Sequence, residues 1–253
     1  MENVITKENL QKAMVYGLLV GGGYLLAKKL PTAKAAPKKT TGMRFPPIVH
    51  EPSALNFDAP PTDPTVAFKT WFDAAKEVTT VPNPNAMSVA TVDANGQPSV
   101  RLVLCRGFDL NGVVFYTNRE SRKGEALKAN PRACANFHWD QLDRQIRIEG
   151  SVVHTSEEES DKYWESRNRE NRINSYASQQ SRPVGSRDEL EGAASSVEKR
   201  FEGQEIPRPN HWGGFRIALD RVEFWQGHHH RLHDRIIYEK QGDGTYKITR
   251  LYP

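Results

Sequence analysis

Four groups of polar residues interrupt otherwise apolar stretches of this chain, each with a spacing that could do chemistry. The first comprises Arg101 and Arg106, Tyr116 and Thr117, then Ser121, Arg122 and Lys123, which together supply four cations and three hydroxyls. Ser121 is a natural helix cap, and Arg122 and Lys123 open the helix behind it, where free backbone N–H groups and the helix dipole favour an anion. That is a phosphate cradle in outline; the plainer alternative is an exposed strand end beside a capped helix. Arg101 and Arg106 differ by an odd number of residues. On a regular strand they would face opposite ways, so one shared site requires a bulge, a strand end or a second subunit.

The second group lies in RQIRIEG, where alternation places Gln145, Arg147 and Glu149 on one face and Ile146 and Ile148 on the other. A polar face holding Gln could read the edge of a flat heterocycle, although a solvated strand accounts for it equally. In the third group Tyr163, Arg167 and Asn171 stand at i, i+4 and i+8, sharing one stripe if a single helix carries them. A phenol, a guanidinium and an amide can all bond phosphate oxygens, and a charged solvated face is the competing reading. Gln180 and Ser181 follow in a polar loop. The fourth group is EFWQG, three histidines at 228–230, and RLHDR. On a strand, Arg231, His233 and Arg235 would point to one side, a costly arrangement unless an anion or polar ligand sits there. The histidine tract is expected to be an exposed turn, and no metal is expected. Adjacent residues of an extended chain diverge, and no acidic partner has useful spacing.

These groups need a scaffold, and the composition provides for one. The chain has 253 residues, of which 37% are hydrophobic and 26% charged. With a mean hydropathy of -0.68, that describes a soluble globular domain and excludes a polytopic membrane protein. The net charge of +4 is located in the tail: residues 1–43 hold seven Lys against two Glu, and the remainder sums to -1. A nucleic-acid partner is therefore not expected. Beyond residue 43 there are 20 Arg and 8 Lys, a bias that suits bidentate recognition of a small phosphate or carboxylate. Two isolated cysteines, Cys105 and Cys134, make neither a disulfide framework nor a zinc site.

Residues 1–43 form a basic leader, 44–63 a Pro-rich linker, and 64–253 the folded domain. Within the leader, residues 13–27 are uncharged and apolar. As a helix they would reach only ~22 Å, short of a bilayer core of ~30 Å. Cytoplasmic residence is expected, with this segment a candidate membrane contact or organellar targeting element. Asp63-Pro64 predicts a helix over 64–78. Strands are predicted over 86–92, 98–106 and 113–117, a helix over 122–129, and strands over 133–139 and 145–154. Helices over 156–166 and 187–201 precede strands over 213–219, 221–226, 231–239 and 245–251. The fold class is thus mainly β, a small barrel with flanking helices. Dinucleotide, NTPase, metalloprotease and hydrolase fingerprints are absent from the chain.

In order, RLVLCRGF, FYTNRESRKGEAL, RQIRIEG, YWESR, ASQQS, IPRPNHWGG and EFWQGHHHRLHDR resemble the pyridoxine 5′-phosphate oxidase family over roughly three quarters of the chain. The resemblance implies an FMN-binding split β-barrel, homodimeric, with FMN in clefts at the subunit interface. It assigns FMN contacts to Arg101, Leu102, Val103, Leu104, Tyr116, Thr117, Arg122, Lys123, Gln145, Gln180, Ser181, Trp225 and Arg235. Substrate phosphate falls to Arg106, Tyr163, Arg167 and Asn171, and the substrate ring to Arg231, Leu232 and His233, with Arg231 and His233 as the catalytic pair. The implied reaction is oxidation of pyridoxine or pyridoxamine 5′-phosphate to pyridoxal 5′-phosphate by O2, releasing hydrogen peroxide. A non-catalytic module binding FMN or pyridoxal phosphate is the alternative. It is motivated by departures from the family pattern, which usually has Lys at Arg106, Ser at Asn171, Pro at Asn168 and Gly at Asn174.

Overall fold

The computed structural model describes residues 55–78 and 83–253. The leader, including the apolar segment 13–27, lies outside the described residues, as do residues 44–54 of the linker. Among the described residues no helix is long and apolar enough to cross a membrane. Residues 55–63, within the expected linker, lie against the body. Leu55 is buried, Phe57 packs beside Trp71, and the Tyr238 hydroxyl donates to the Pro61 carbonyl at 2.9 Å.

The first helix, α1 (Pro64–Glu77), starts where its cap dictates: Asp63 accepts from the Thr65 N–H at 2.7 Å and Pro64 takes the first helical position. Its buried face, Ala67, Phe68, Trp71 and Ala75, covers the sheet. Strands β1 (Ala86–Val92) and β2 (Pro98–Leu104) form a hairpin, with Gly96 at φ 81° in the turn where a side chain would be strained. β2 is shorter than expected. The Cys105 N–H turns to the Asn85 carbonyl and the Arg106 N–H to Val114, and a separate strand β3 (Gly107–Asp109) pairs with β4 (Gly112–Asn118). The strand end thereby settles the Arg101/Arg106 parity.

Helix α2 (Arg122–Ala129) leads to β5 (Arg132–Trp139) and the long β6 (Arg144–His154). Three helices follow, α3 (Glu157–Glu165), α4 (Arg169–Ala177) and α5 (Arg187–Arg200), then β7 (Trp212–Ile217), β8 (Arg221–Gln226), β9 (Asp234–Lys240) and β10 (Tyr246–Leu251). The ten strands among the described residues make one sheet in the order β10-β9-β8-β6-β5-β1-β2, with β7, β4 and β3 branching from the far end of β6. Most of β6 pairs with β5 and β8, while Val152 to His154 pair with β7, so this strand turns the sheet into the split barrel. Its inward residues Ile146 and Ile148 are fully buried with Met87, Phe137, Val222 and Phe224. A second apolar cluster, centred on Trp164, Ile173, Phe201 and Trp212, seats the helices.

Two expectations are corrected. Tyr163, Arg167 and Asn171 do not share a helix: α3 ends at Glu165, and Asn168 caps α4 by accepting from the Asn171 N–H at 3.0 Å. Nor does a strand begin at 231. Residues His229–Arg231 form a 3-10 turn, with His230 at φ 58° and Arg231 at φ 64°, and β9 starts at Asp234.

Candidate functional site

Past the end of β2, the chain encloses a cavity of about 470 Å³ whose lining includes Arg101, Arg106, Lys123 and Arg167 and no carboxylate. Lys123 is buried in its wall. Ser121 caps α2 by accepting from the Gly124 N–H and holds the Asn118 carbonyl at 2.7 Å, which fixes the helix start. Gly124 has no Cβ to spare: one placed there would lie 1.9 Å from the Arg119 carbonyl oxygen. Only glycine lets the first turn close this tightly. The Lys123 ammonium then donates to Gln180 Oε1 at 2.7 Å, Thr117 Oγ1 at 3.1 Å and Ser121 Oγ at 3.3 Å, all neutral oxygens. Burial, with the nearby Arg101 charge second, pulls its pKa down to about 8. A buried cation held by neutral acceptors is stabilised when an anion arrives.

Aromatic rings form one wall. Tyr116 stacks on Tyr163 at 4.0 Å and on Trp212 at 5.5 Å. The Arg106 guanidinium lies 5.8 Å from the Tyr163 ring centre, and that of Arg167 lies 4.9 Å from Trp212 and 5.3 Å from Trp164. Arg167 Nη2 donates to the Ser175 hydroxyl at 2.8 Å, while its buried Nη1 has no protein partner. Burial lowers the pKa of Arg167, as it does that of Arg101. Arg101 lies along β1, donating to the Val89 carbonyl at 2.9 Å and Thr91 Oγ1 at 3.0 Å.

The structure sorts the residues singled out from sequence into two sets. Arg101, Leu102, Val103, Leu104, Tyr116, Thr117, Lys123 and Gln180, with Arg106, Tyr163 and Arg167, all line the cavity. Arg122 is exposed near Arg101, and Ser181 follows Gln180 with φ 74°. Neither lines the cavity, and Asn171 is exposed outside it.

The second set occupies the outer sheet face and the turn beyond it. Gln145, Trp225 and Arg235 stand in one cross-strand row, Gln145 opposite Trp225 and Trp225 opposite Arg235. Arg235 is clamped by the buried Glu223, with contacts of 2.8 and 2.7 Å, and Glu223 also accepts from Arg147 at 3.1 Å. The His233 ring lies 4.7 Å from that of Trp225, and its Nδ1 accepts the His228 N–H at 3.1 Å. In the neutral form the proton is therefore on Nε2. His228 pairs with Asp234 at 2.8 Å, and Arg231 and Leu232 are exposed. Among the described residues no group of three His, Cys, Asp or Glu is placed to hold a metal.

Sequence reasoning missed Asn118, Asn174, Ser175, Ser178 and Trp212 as lining residues. Asn174 and Ser175 of α4 and its C-cap Ser178 were hidden because α4 itself was not predicted, although Asn168 with Glu170 two residues on was a readable cap signal.

Residues 73–201 match the family model described as pyridoxamine 5′-phosphate oxidase, and residues 212–253 match that of the pyridoxine 5′-phosphate oxidase C-terminal dimerisation region. A pyridoxine/pyridoxamine 5′-phosphate oxidase of Cupriavidus pinatubonensis is 51% identical over 191 residues, covering 76% of this chain and 89% of that protein. One from Bordetella petrii is 50% identical over 204 residues, covering 81% and 96%. The crystal structure of PhzG from Burkholderia lata 383, in complex with tetrahydrophenazine-1-carboxylic acid, superposes with a TM-score of 0.73 at 34% identity, covering 78% of this chain and 96% of that one.

Proposed function

Since the chain belongs to the pyridoxamine 5′-phosphate oxidase family, we propose that it oxidises pyridoxine or pyridoxamine 5′-phosphate to pyridoxal 5′-phosphate, with FMN as cofactor and O2 as oxidant. The observation that carries this reading is the carboxylate-free cavity, lined both by a buried Lys123 held only by neutral oxygens and by the Arg106–Tyr163–Arg167 group. Two anionic groups fit such a pocket better than one. The chemistry FMN would supply when bound is two-electron acceptance from the substrate, with O2 as final oxidant and hydrogen peroxide as product, the amine substrate in addition consuming water and releasing ammonia.

The chain's own residues then bind and orient. Lys123 and Thr117, with Arg101 and Arg122 close by, offer the cofactor phosphate a desolvated cationic seat. Arg106, Tyr163 and Arg167 hold the substrate phosphate, so that binding energy remote from the reacting carbon fixes its position. Arg231 and His233 would act on the substrate ring, His233 presenting its Nε2 proton as a donor. These two residues, with Gln145, Trp225 and Arg235, do not line the cavity of their own protomer. A homodimer in which the outer face of one copy closes the cavity of its partner accounts for the division, and the matched dimerisation region supports it.

The test is turnover of both substrates under air, followed as aldehyde and hydrogen peroxide formed in equal amounts. Bound FMN with no product from either substrate would leave a binding module. The PhzG likeness favours one second reading, a flavin oxidase acting on a carboxylate-bearing heterocycle. Oxidation of such a compound in preference to both phosphate esters would select it.

A further inference from the structure

Arg167 is a cation of the cavity that has no acidic partner among the described residues and is held by its aromatic neighbours and one hydrogen bond. Its guanidinium lies against Trp212 and Trp164, centred 4.9 and 5.3 Å from their rings, which confine it by cation–π contact. One hydrogen bond fixes its orientation there: Nη2 donates to the Ser175 hydroxyl at 2.8 Å. Nη1 is left buried, without a protein partner, on a side chain that lines the cavity. Ser175 lines the same cavity from α4, two turns beyond the cap at Asn168 that ended the preceding helix. The helix break is therefore what brings residue 175 to residue 167. Had one helix run through, the two would stand eight positions apart along it, ~12 Å in rise, beyond reach of this bond.

We propose that Ser175 is a positioning residue, which by holding Arg167 Nη2 fixes the guanidinium in the cavity wall for a substrate phosphate and thereby sets the preference for phosphorylated over unphosphorylated substrates. This rests on the reading of Arg167 as a substrate-phosphate ligand. Removal of the hydroxyl frees the guanidinium to rotate; the charge stays, but its fixed orientation is lost.

The experiment compares the purified holoprotein with Ser175→Ala and Ser175→Thr. For each, KM and kcat are measured with pyridoxine 5′-phosphate, and the dissociation constants of pyridoxal 5′-phosphate and pyridoxal by equilibrium dialysis. Expected for Ser175→Ala are a rise of about tenfold in KM and in the pyridoxal 5′-phosphate dissociation constant. Binding of pyridoxal and flavin content should be unchanged, kcat should change less than twofold, and Ser175→Thr should restore both phosphate-dependent values. A merely structural role would weaken both ligands and flavin content together. Unchanged phosphate-ester affinity in Ser175→Ala, or equal weakening of both ligands, overturns the proposal. If the parent protein turns over no vitamer yet binds pyridoxal 5′-phosphate in a Ser175-dependent manner, the oxidase reading fails and the positioning role stands. If the parent protein has no preference for the phosphorylated ligand, both fall.

Discussion

Lys123 carries the strongest electrostatic consequence. With a pKa of about 8 in the free protein, lowered chiefly by burial, it is protonated at neutral pH at a cost that the folded state bears. Because the folded pKa lies below the ordinary lysine value, the unfolded chain holds the extra proton between pH 8 and roughly 10.4, and this group's contribution to stability rises across that window. A phosphate bound beside Lys123 has the opposite preference, since it favours the charged form. FMN affinity should therefore be flat below pH 8 and weaken by up to about tenfold per pH unit above it, as far as the pKa of the complex, measured by flavin fluorescence on binding. Lys123→Met should weaken FMN binding roughly tenfold to a hundredfold and abolish that pH dependence. A dependence that survives in Lys123→Met would place the titrating group elsewhere.

At the scale of elements, the approach of α2 to the chain that enters it is the tightest constraint on the site. Gly124→Ala would set a Cβ against the Arg119 carbonyl. It should destabilise the protein by about 1–3 kcal/mol, read by chemical denaturation, and lower flavin retention because Lys123 moves with the turn. In the turn before β9, His230 and Arg231 both have positive φ. His230→Gly removes strain of roughly 1 kcal/mol but adds unfolded-state freedom of similar size, so stability should stay within about 1 kcal/mol of the parent. These two places also mark what the sequence could and could not express. Alternation in β6 was legible because Ile146 and Ile148 are core while Gln145, Arg147 and Glu149 are not. The caps at Asp63 and Ser121 were legible because side chain and backbone chemistry coincide there. The exposed turn at the histidine tract was legible, but its extension to Arg231 was not, since two non-glycine residues in the left-handed region leave no compositional trace. Membership of the cavity was only half legible: Arg167 stood out as a polar residue, whereas Ser175 becomes relevant only once the break between α3 and α4 brings it to Arg167.

The whole molecule presents an outer sheet face that is unusually apolar at one edge, with Val100 68% and Leu102 72% exposed on β2. Aliphatic side chains left so exposed side by side are expected at an interface. Leu102→Glu should convert a dimer into monomers in light scattering and release flavin in the same protein, whereas a stable dimer with full flavin would place the interface elsewhere. The central claim is that one cavity brings a substrate phosphate and a flavin phosphate together for redox chemistry. Its most direct measurement is the flavin absorbance of the purified protein mixed without oxygen with pyridoxine 5′-phosphate and, separately, with pyridoxamine 5′-phosphate. The account predicts that the oxidised band bleaches with at least one of them, returns on admission of O2, and persists when Arg167→Ala is mixed at the same substrate concentration. A flavin that stays oxidised in the parent protein with both substrates at saturation would contradict it.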